Sequence, residues 1–256
     1  DRQFSVYFGR ALASLGRIIE GPVARLVYRN RPVVAVSPST AQALKGRLSW
    51  RGPVFIVPNG APRPTKPCPT DPAAGPSLVC VGRLVAHKRV DQIIRVAEEL
   101  RERWPGLRLH IVGRGEQHGA LAEQIRVAGL EQTVTLHGFL PMADKDALLA
   151  AADLHISASR YEGWGLSVIE AAAFGVPTVA YDVDGLRDAV RDGDTGWLAI
   201  PGENLADTVL RALKELHDPG RRVEMAAACI GWAGEFTWDS SGDRMTRLIQ
   251  GDLDEY

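Results

Sequence analysis

The chain has 256 residues, enough for one large domain or two small ones around a substantial core. With 45% hydrophobic and 24% charged residues and a formal net charge of −1, it reads as a folded globular protein lacking the basic field of a nucleic-acid binder. Cys68, Cys80 and Cys229 are scattered and odd in number, which excludes a disulfide framework or a zinc site and points to a reducing, cytoplasmic compartment. No apolar run reaches membrane-spanning length and no signal peptide is visible. The chain begins at Asp1 without Met, which suggests a piece of a longer protein.

Residues 1–30 carry apolar side chains at helical spacing, among them Phe4, Phe8, Leu12, Leu15, Ile18, Ile19, Val23, Leu26 and Val27. Arg10, Arg17, Arg25, Arg29 and Arg31 make this helix basic. A basic amphipathic helix suits an anionic membrane surface, and equally an apolar stripe packed on neighbouring structure; the second reading is favoured. A short strand follows at 32–37, then a helix capped by Ser39 and a second strand at 54–57. Pro58-Asn59-Gly60 is turn chemistry. Residues 61–76 hold Pro62, Pro64, Pro67, Pro69, Pro72 and Pro76 and read as an interdomain linker.

From Ser77 strand, loop and helix alternate. Strands are expected at 78–81, 107–112, 134–136, 154–157, 178–181 and 197–200. Helices near 90–104, 116–128, 143–151, 166–174, 185–191 and 204–217 separate them, and two more near 219–231 and 239–251 close the chain. This rhythm implies a six-stranded parallel α/β sheet covered on both faces. Right-handed crossovers place every strand's C-terminal end on one edge, where ligands of such sheets bind.

Four loops leave that edge with notable chemistry. After the first strand, Gly82 gives backbone room, while Arg83 and Lys88 place two cations where a diphosphate could sit. Singly, either cation would pass for an ordinary surface charge, and Arg89 reads as a solvated charge at a helix start. After the second strand, Gly113-Arg114-Gly115 with Gly119 misses the dinucleotide fingerprint by one place, so it reads as a tight turn with Gly113 lining the cleft. The third strand ends at His137-Gly138-Phe139-Leu140-Pro141. His137 as a general base is disfavoured, and none of the histidines has metal or triad spacing.

The fourth loop, residues 161–177, organises the rest. Gly163 and Gly165 flank Trp164 and let the backbone approach a ligand closely. A helix then runs from Leu166 until Gly175 and Pro177 stop it. The unsatisfied N–H groups of Gly165, Leu166 and Ser167 form an anion site of the kind helix N-termini offer phosphates. Glu170, about one turn on, leans back toward that site and can accept hydrogen bonds from a ribose. Glu162, in the loop ahead, can meet a second polyol. Either carboxylate alone passes for a first-turn acid or a solvated charge; together with the glycines they describe a nucleotide-sugar site.

Glu162, seven residues, then Glu170, in a stretch that opens Glu-Gly-Trp-Gly-Leu, resemble the signature of retaining GT-B glycosyltransferases of the glycogen-synthase-like superfamily. The resemblance covers residues 33 to the C-terminus and implies a GT-B-type Rossmann-like donor-binding domain over 77–234. It further implies that residues 1–60 are the end of an N-terminal acceptor domain, with the 61–76 linker between, and that 235–256 is a helix crossing back to brace that domain. Asp239 is expected to cap that helix. The family pattern implies hexosyl transfer from a UDP- or GDP-sugar type of donor to a glycan, lipid or small-molecule acceptor, with retained configuration and no obligatory cofactor or metal. Arg83 and Lys88 would contact the diphosphate and Glu162 the sugar. Gly82, Gly113, Gly163, Trp164, Gly165, Leu166, Ser167 and Glu170 would line the donor site, and His137, Phe139 and Leu140 would hold the base. A nucleotide-sugar-binding module needing a partner domain, an epimerase on the same plan, and a glycosidase using the two carboxylates are the alternatives.

Overall fold

The computed structural model describes residues 10–28, 31–61, 75–252 and 254–256. The expected helix over 1–9 and 29–30, Cys68 and all the linker prolines except Pro76 lie outside the described residues. The N-terminal helix is broken rather than continuous: α1 spans Arg10–Ile18, a π turn occupies Ile19–Val23, and α2 spans Ala24–Val27. Pro22 inside the turn removes a donor and crowds the preceding carbonyls, which explains the break. Leu12, Leu15, Ile18, Ile19, Leu26 and Val27 are exposed on this segment.

Next comes a small parallel unit, β1 (Val33–Ala35), α3 (Pro38–Arg47) and β2 (Val54–Ile56). Ser37, not Ser39, caps α3: its hydroxyl accepts from the Thr40 amide, and Pro38 occupies the first helical position, where a missing N–H costs nothing.

The main sheet contains β3 (Ser77–Val81), β4 (Arg108–Val112), β5 (Val134–Gly138), β6 (Leu154–Ser157), β7 (Thr178–Tyr181) and β8 (Gly196–Ala199). Every pairing is parallel, in the order β5-β4-β3-β6-β7-β8. β3, β4 and β5 lie on one side of the sheet and β6, β7 and β8 on the other, which is the doubly wound order with its switch point between β3 and β6. Pairing across that point covers Leu78 with Leu154 and Val79 with His155 alone, so the two strands part before their C-terminal ends. The parting opens a crevice.

Connecting helices are α4 (Val90–Leu100), α5 (His118–Val127), α6 (Met142–Ala150), α7 (Leu166–Ala173), α8 (Leu186–Ala189) and α9 (Leu205–Glu215). The first of these ends earlier than expected, at Leu100, and α8 is a single turn. Ile93, Ile94 and Ala97 of α4, Leu121 and Ile125 of α5 and Val209 and Ala212 of α9 bury one sheet face with Leu109, Ile111, Leu154 and Ile156. On the other face α7 packs with α10 (Pro219–Gly234), and Leu149 and Ala171 meet Val79. The strands are thus buried on both sides, as their near-continuous apolar runs demand.

The last helix, α11 (Trp238–Gln250), is capped by Thr237 in a reciprocal arrangement with Ser240, where Asp239 was expected. A hydroxyl at 237 meets the amide of Ser240, and Asp239 falls inside the first turn. This helix runs back to the small unit. Ser241 Oγ donates to the Pro58 carbonyl at 2.5 Å, the Ala61 amide donates to the Phe236 carbonyl at 2.9 Å, and the Tyr256 amide donates to the Val54 carbonyl at 2.8 Å. Gly60 abuts the Trp238 backbone so closely that an added Cβ would lie 2.2 Å from its nitrogen.

Candidate functional site

The crevice where β3 and β6 part is a cleft of about 380 Å³ lined by Val36, Asn59, Val81, Gly82, Lys88, Glu162, Gly163, Trp164, Gly165, Leu166, Ser167 and Glu170. Nine of the fourteen residues expected from sequence meet there. Lys88 ends a short 3-10 turn, Ala86–Lys88, and its ammonium forms an ion pair with Glu162 across the crevice. Ser159, fully buried after β6, donates to the same Glu162 oxygen at 2.7 Å. Both charged side chains are mostly buried, so solvent screens the pair weakly.

The opposite wall is the start of α7. Gly165 sits at its N-cap with φ 84°, a left-handed conformation that suits glycine, and the Gly165, Leu166 and Ser167 amides donate to no protein acceptor among the described residues. Glu170 stands one turn further on and accepts from Lys145 Nζ at 2.9 Å. The loop carrying Glu162 is held from three directions. Ser37 and Thr40 hydroxyls donate to the Gly163 carbonyl at 2.7 and 2.9 Å, Glu162 N–H donates to the Asp184 carbonyl, and Gly185 approaches the Glu162 backbone too closely for any Cβ.

A family model for glycosyl transferases group 1 matches residues 71–229. This chain belongs to that family. It is 34% identical over 174 residues to the D-inositol 3-phosphate glycosyltransferase of Corynebacterium aurimucosum, covering 66% of this chain and 41% of that protein. Among solved structures it resembles the sucrose-phosphate synthase of Thermosynechococcus elongatus, with TM-score 0.80 and 22% identity over 97% of this chain and 64% of that one. It also resembles Anabaena Alr3699/HepE, solved in complex with UDP and glucose, with TM-score 0.74 and 23% identity over 90% of this chain and 66% of that one. The chain spans less than half the length of the curated relative named here. The six-stranded parallel sheet is accordingly that of GT-B glycosyltransferases.

Five expected residues of this family member lie outside the cleft lining. Arg83 is exposed beside it, and its guanidinium makes no hydrogen bond or ion pair among the described residues. Gly113 lies behind Gly82: with φ 150°, an added Cβ would fall 1.8 Å from the Gly82 carbonyl oxygen. Its glycine is required by packing between strand ends, whose amides continue the edge from Gly82 to the Val112 carbonyl and from Gly113 to the Gly138 carbonyl. His137 Nε2 meets His110 Nδ1 at 2.9 Å, and burial pulls both imidazoles below their ordinary pKa. Leu140 is half-buried, and Phe139 is exposed beneath the Arg114 guanidinium, 5.2 Å from its ring centre. Trp164 lines the cleft but is chiefly a clasp. Its ring is buried edge-on against Phe236, and Nε1 donates to the Asn59 carbonyl at 3.2 Å.

Sequence reading missed Ser159, Gly185, Lys145, Val36 and Asn59. Ser159 stands three residues before Glu162 and was legible as a local hydroxyl–carboxylate pair. The others reach the site from distant segments, and no local signal marks them. Below the crevice floor, burial pushes the Cys80 thiol up to about 12 and pulls His155 down to about 3, with the Lys88 charge acting on both.

Proposed function

We propose that this chain is the donor-binding half of a retaining glycosyltransferase that moves a sugar from a nucleotide-diphosphate sugar to an acceptor hydroxyl. The observation carrying this reading is the crevice itself: the Lys88 ammonium on one wall faces the unpaired amides of Gly165, Leu166 and Ser167 on the other. A diphosphate between them would meet cationic and N–H donors from both sides. Arg83, at the mouth, adds a second cation, and these charges suffice to hold the diphosphate without added metal.

In this reading Lys88 exchanges its carboxylate partner for the diphosphate and stabilises the charge that develops on the departing nucleoside diphosphate. Glu162, released from Lys88 but still held by Ser159, then accepts from the sugar hydroxyls, and Glu170 accepts from the ribose. The Gly138-to-Leu140 loop holds the base. The acceptor would enter from a facing domain reached through the Val36 and Asn59 side of the cleft. The UDP and glucose of the HepE complex support a ligand of this class, and membership of the glycosyl transferases group 1 family supports the reaction.

Calorimetric titration with UDP, GDP and ADP in the presence of a chelator tests the reading. One of them should bind saturably, and Arg83→Ala with Lys88→Ala should weaken that nucleotide at least tenfold more than the corresponding nucleoside, in line with two lost charge-assisted contacts. Equal losses for nucleotide and nucleoside would remove the diphosphate assignment.

A further inference from the structure

Glu170 is not a solitary carboxylate. Lys145, in the first turn of α6, donates to its Oε2 at 2.9 Å, and the two side chains are 16% and 15% exposed. The same ammonium lies 3.9 Å from Asp146 Oδ1, a buried oxygen without a hydrogen bond among the described residues. Lys145 is therefore the cation between two carboxylates, and it belongs to the helix that follows β5, not to the crevice loops. It does not line the cleft, whereas Glu170 does.

We infer that Lys145 is a positioning residue for nucleoside recognition: it fixes Oε2 of Glu170 and leaves Oε1 to accept from the ligand. The inference rests on the nucleotide-sugar reading of the cleft. Its physical basis is directional. A glutamate has three side-chain torsions, and an unanchored one spreads its acceptor over many rotamers at an entropic cost on binding. One charge-assisted bond from a second element removes that freedom before the ligand arrives. Without Lys145, Glu170 and Asp146 would also repel one another across the gap it fills. Because α6 begins just beyond the Gly138-to-Leu140 loop, the same lysine ties that loop's helix to α7.

The test is a double-mutant cycle of Lys145→Met and Glu170→Gln, read by titration with the tightest of UDP, GDP and ADP, with its nucleoside and with inorganic pyrophosphate. Loss of a buried charge-assisted bond predicts roughly tenfold weaker nucleotide and nucleoside binding for Lys145→Met, with pyrophosphate affinity unchanged. In the Glu170→Gln background the same change should cost almost nothing further, and Lys145→Arg should restore most of the affinity. A structural role alone would weaken pyrophosphate as well and would persist in the Glu170→Gln background, overturning the inference. Normal nucleotide binding by Lys145→Met would overturn it too, leaving the donor site intact. Failure of the unmodified chain to bind any of the three nucleotides would instead strike the donor-site reading, and the inference with it.

Discussion

Lys88, Ser159 and Glu162 show how much one carboxylate oxygen can organise. Two donors converge on Glu162 Oε1, so the loop that precedes α7 is already ordered without ligand. Gly113 makes the complementary point about backbone. Its φ of 150° and the 1.8 Å overlap that a Cβ would make with the Gly82 carbonyl mean that any side chain must push two strand ends apart. Gly113→Ala should therefore lose about 3 kcal/mol of stability, combining backbone strain with overpacking, as read from urea midpoints. A loss below about 1 kcal/mol would show that the edge can relax around it. Alternation and turn chemistry made the glycine visible in the sequence, but its reason was not: the partner carbonyl lies thirty-one residues away in the chain.

At the scale of elements, caps tie the small unit to the main domain. Ser37, two residues past β1, caps α3 and donates to the Gly163 carbonyl, so one hydroxyl serves a helix and the crevice loop together. Ser37→Ala should cost about 1–2 kcal/mol, the sum of a lost N-cap and a lost buried hydrogen bond, with Thr40 retaining part of the grip on Gly163. Unchanged stability in urea unfolding would mean that neither bond contributes. Helix periodicity located α4 to α11 within a few residues; α4 and α9 bury apolar stripes against the sheet, whereas α11 has no buried residue. The caps were less legible. Ser37 and Ser39 are chemically equivalent in sequence, as nearly are Thr237 and Asp239, and only backbone geometry selects which hydroxyl faces the free amides.

Across the whole molecule, burial sets a pH dependence centred on His155. It is fully buried in β6, its Nδ1 is 3.2 Å from Thr178 Oγ1, and its pKa falls from 6.5 to about 3, first through burial and second through the Lys88 charge. The folded value lies below the unfolded one, so this group's contribution is complete above about pH 6.5 and is lost as pH falls toward 3. The slope is at most about 1.4 kcal/mol per pH unit in that window. His155→Asn keeps a polar partner for Thr178 but cannot titrate, so its stability should fall less steeply between about pH 6.5 and pH 4 than that of the unmodified chain. Identical slopes in unfolding titrations would contradict the buried neutral state.

The sequence by itself determined the parallel α/β sheet, its six strands and the chemistry of the 161–177 loop. Those depend on local signals: apolar runs, stop residues, glycines beside carboxylates. Tertiary structure alone decided which residues meet. The order β5-β4-β3-β6-β7-β8 parts two strands that are seventy-odd residues apart in sequence and brings Lys88 onto Glu162. It also carries Lys145 onto Glu170, clasps Trp164 of the cleft lining against Phe236 and Asn59, and leaves Phe139 and Leu140 beyond that lining. The physical reason is that a residue's type announces what it can bond, whereas its partner is chosen by the long-range packing of apolar faces, which no short stretch of chain contains.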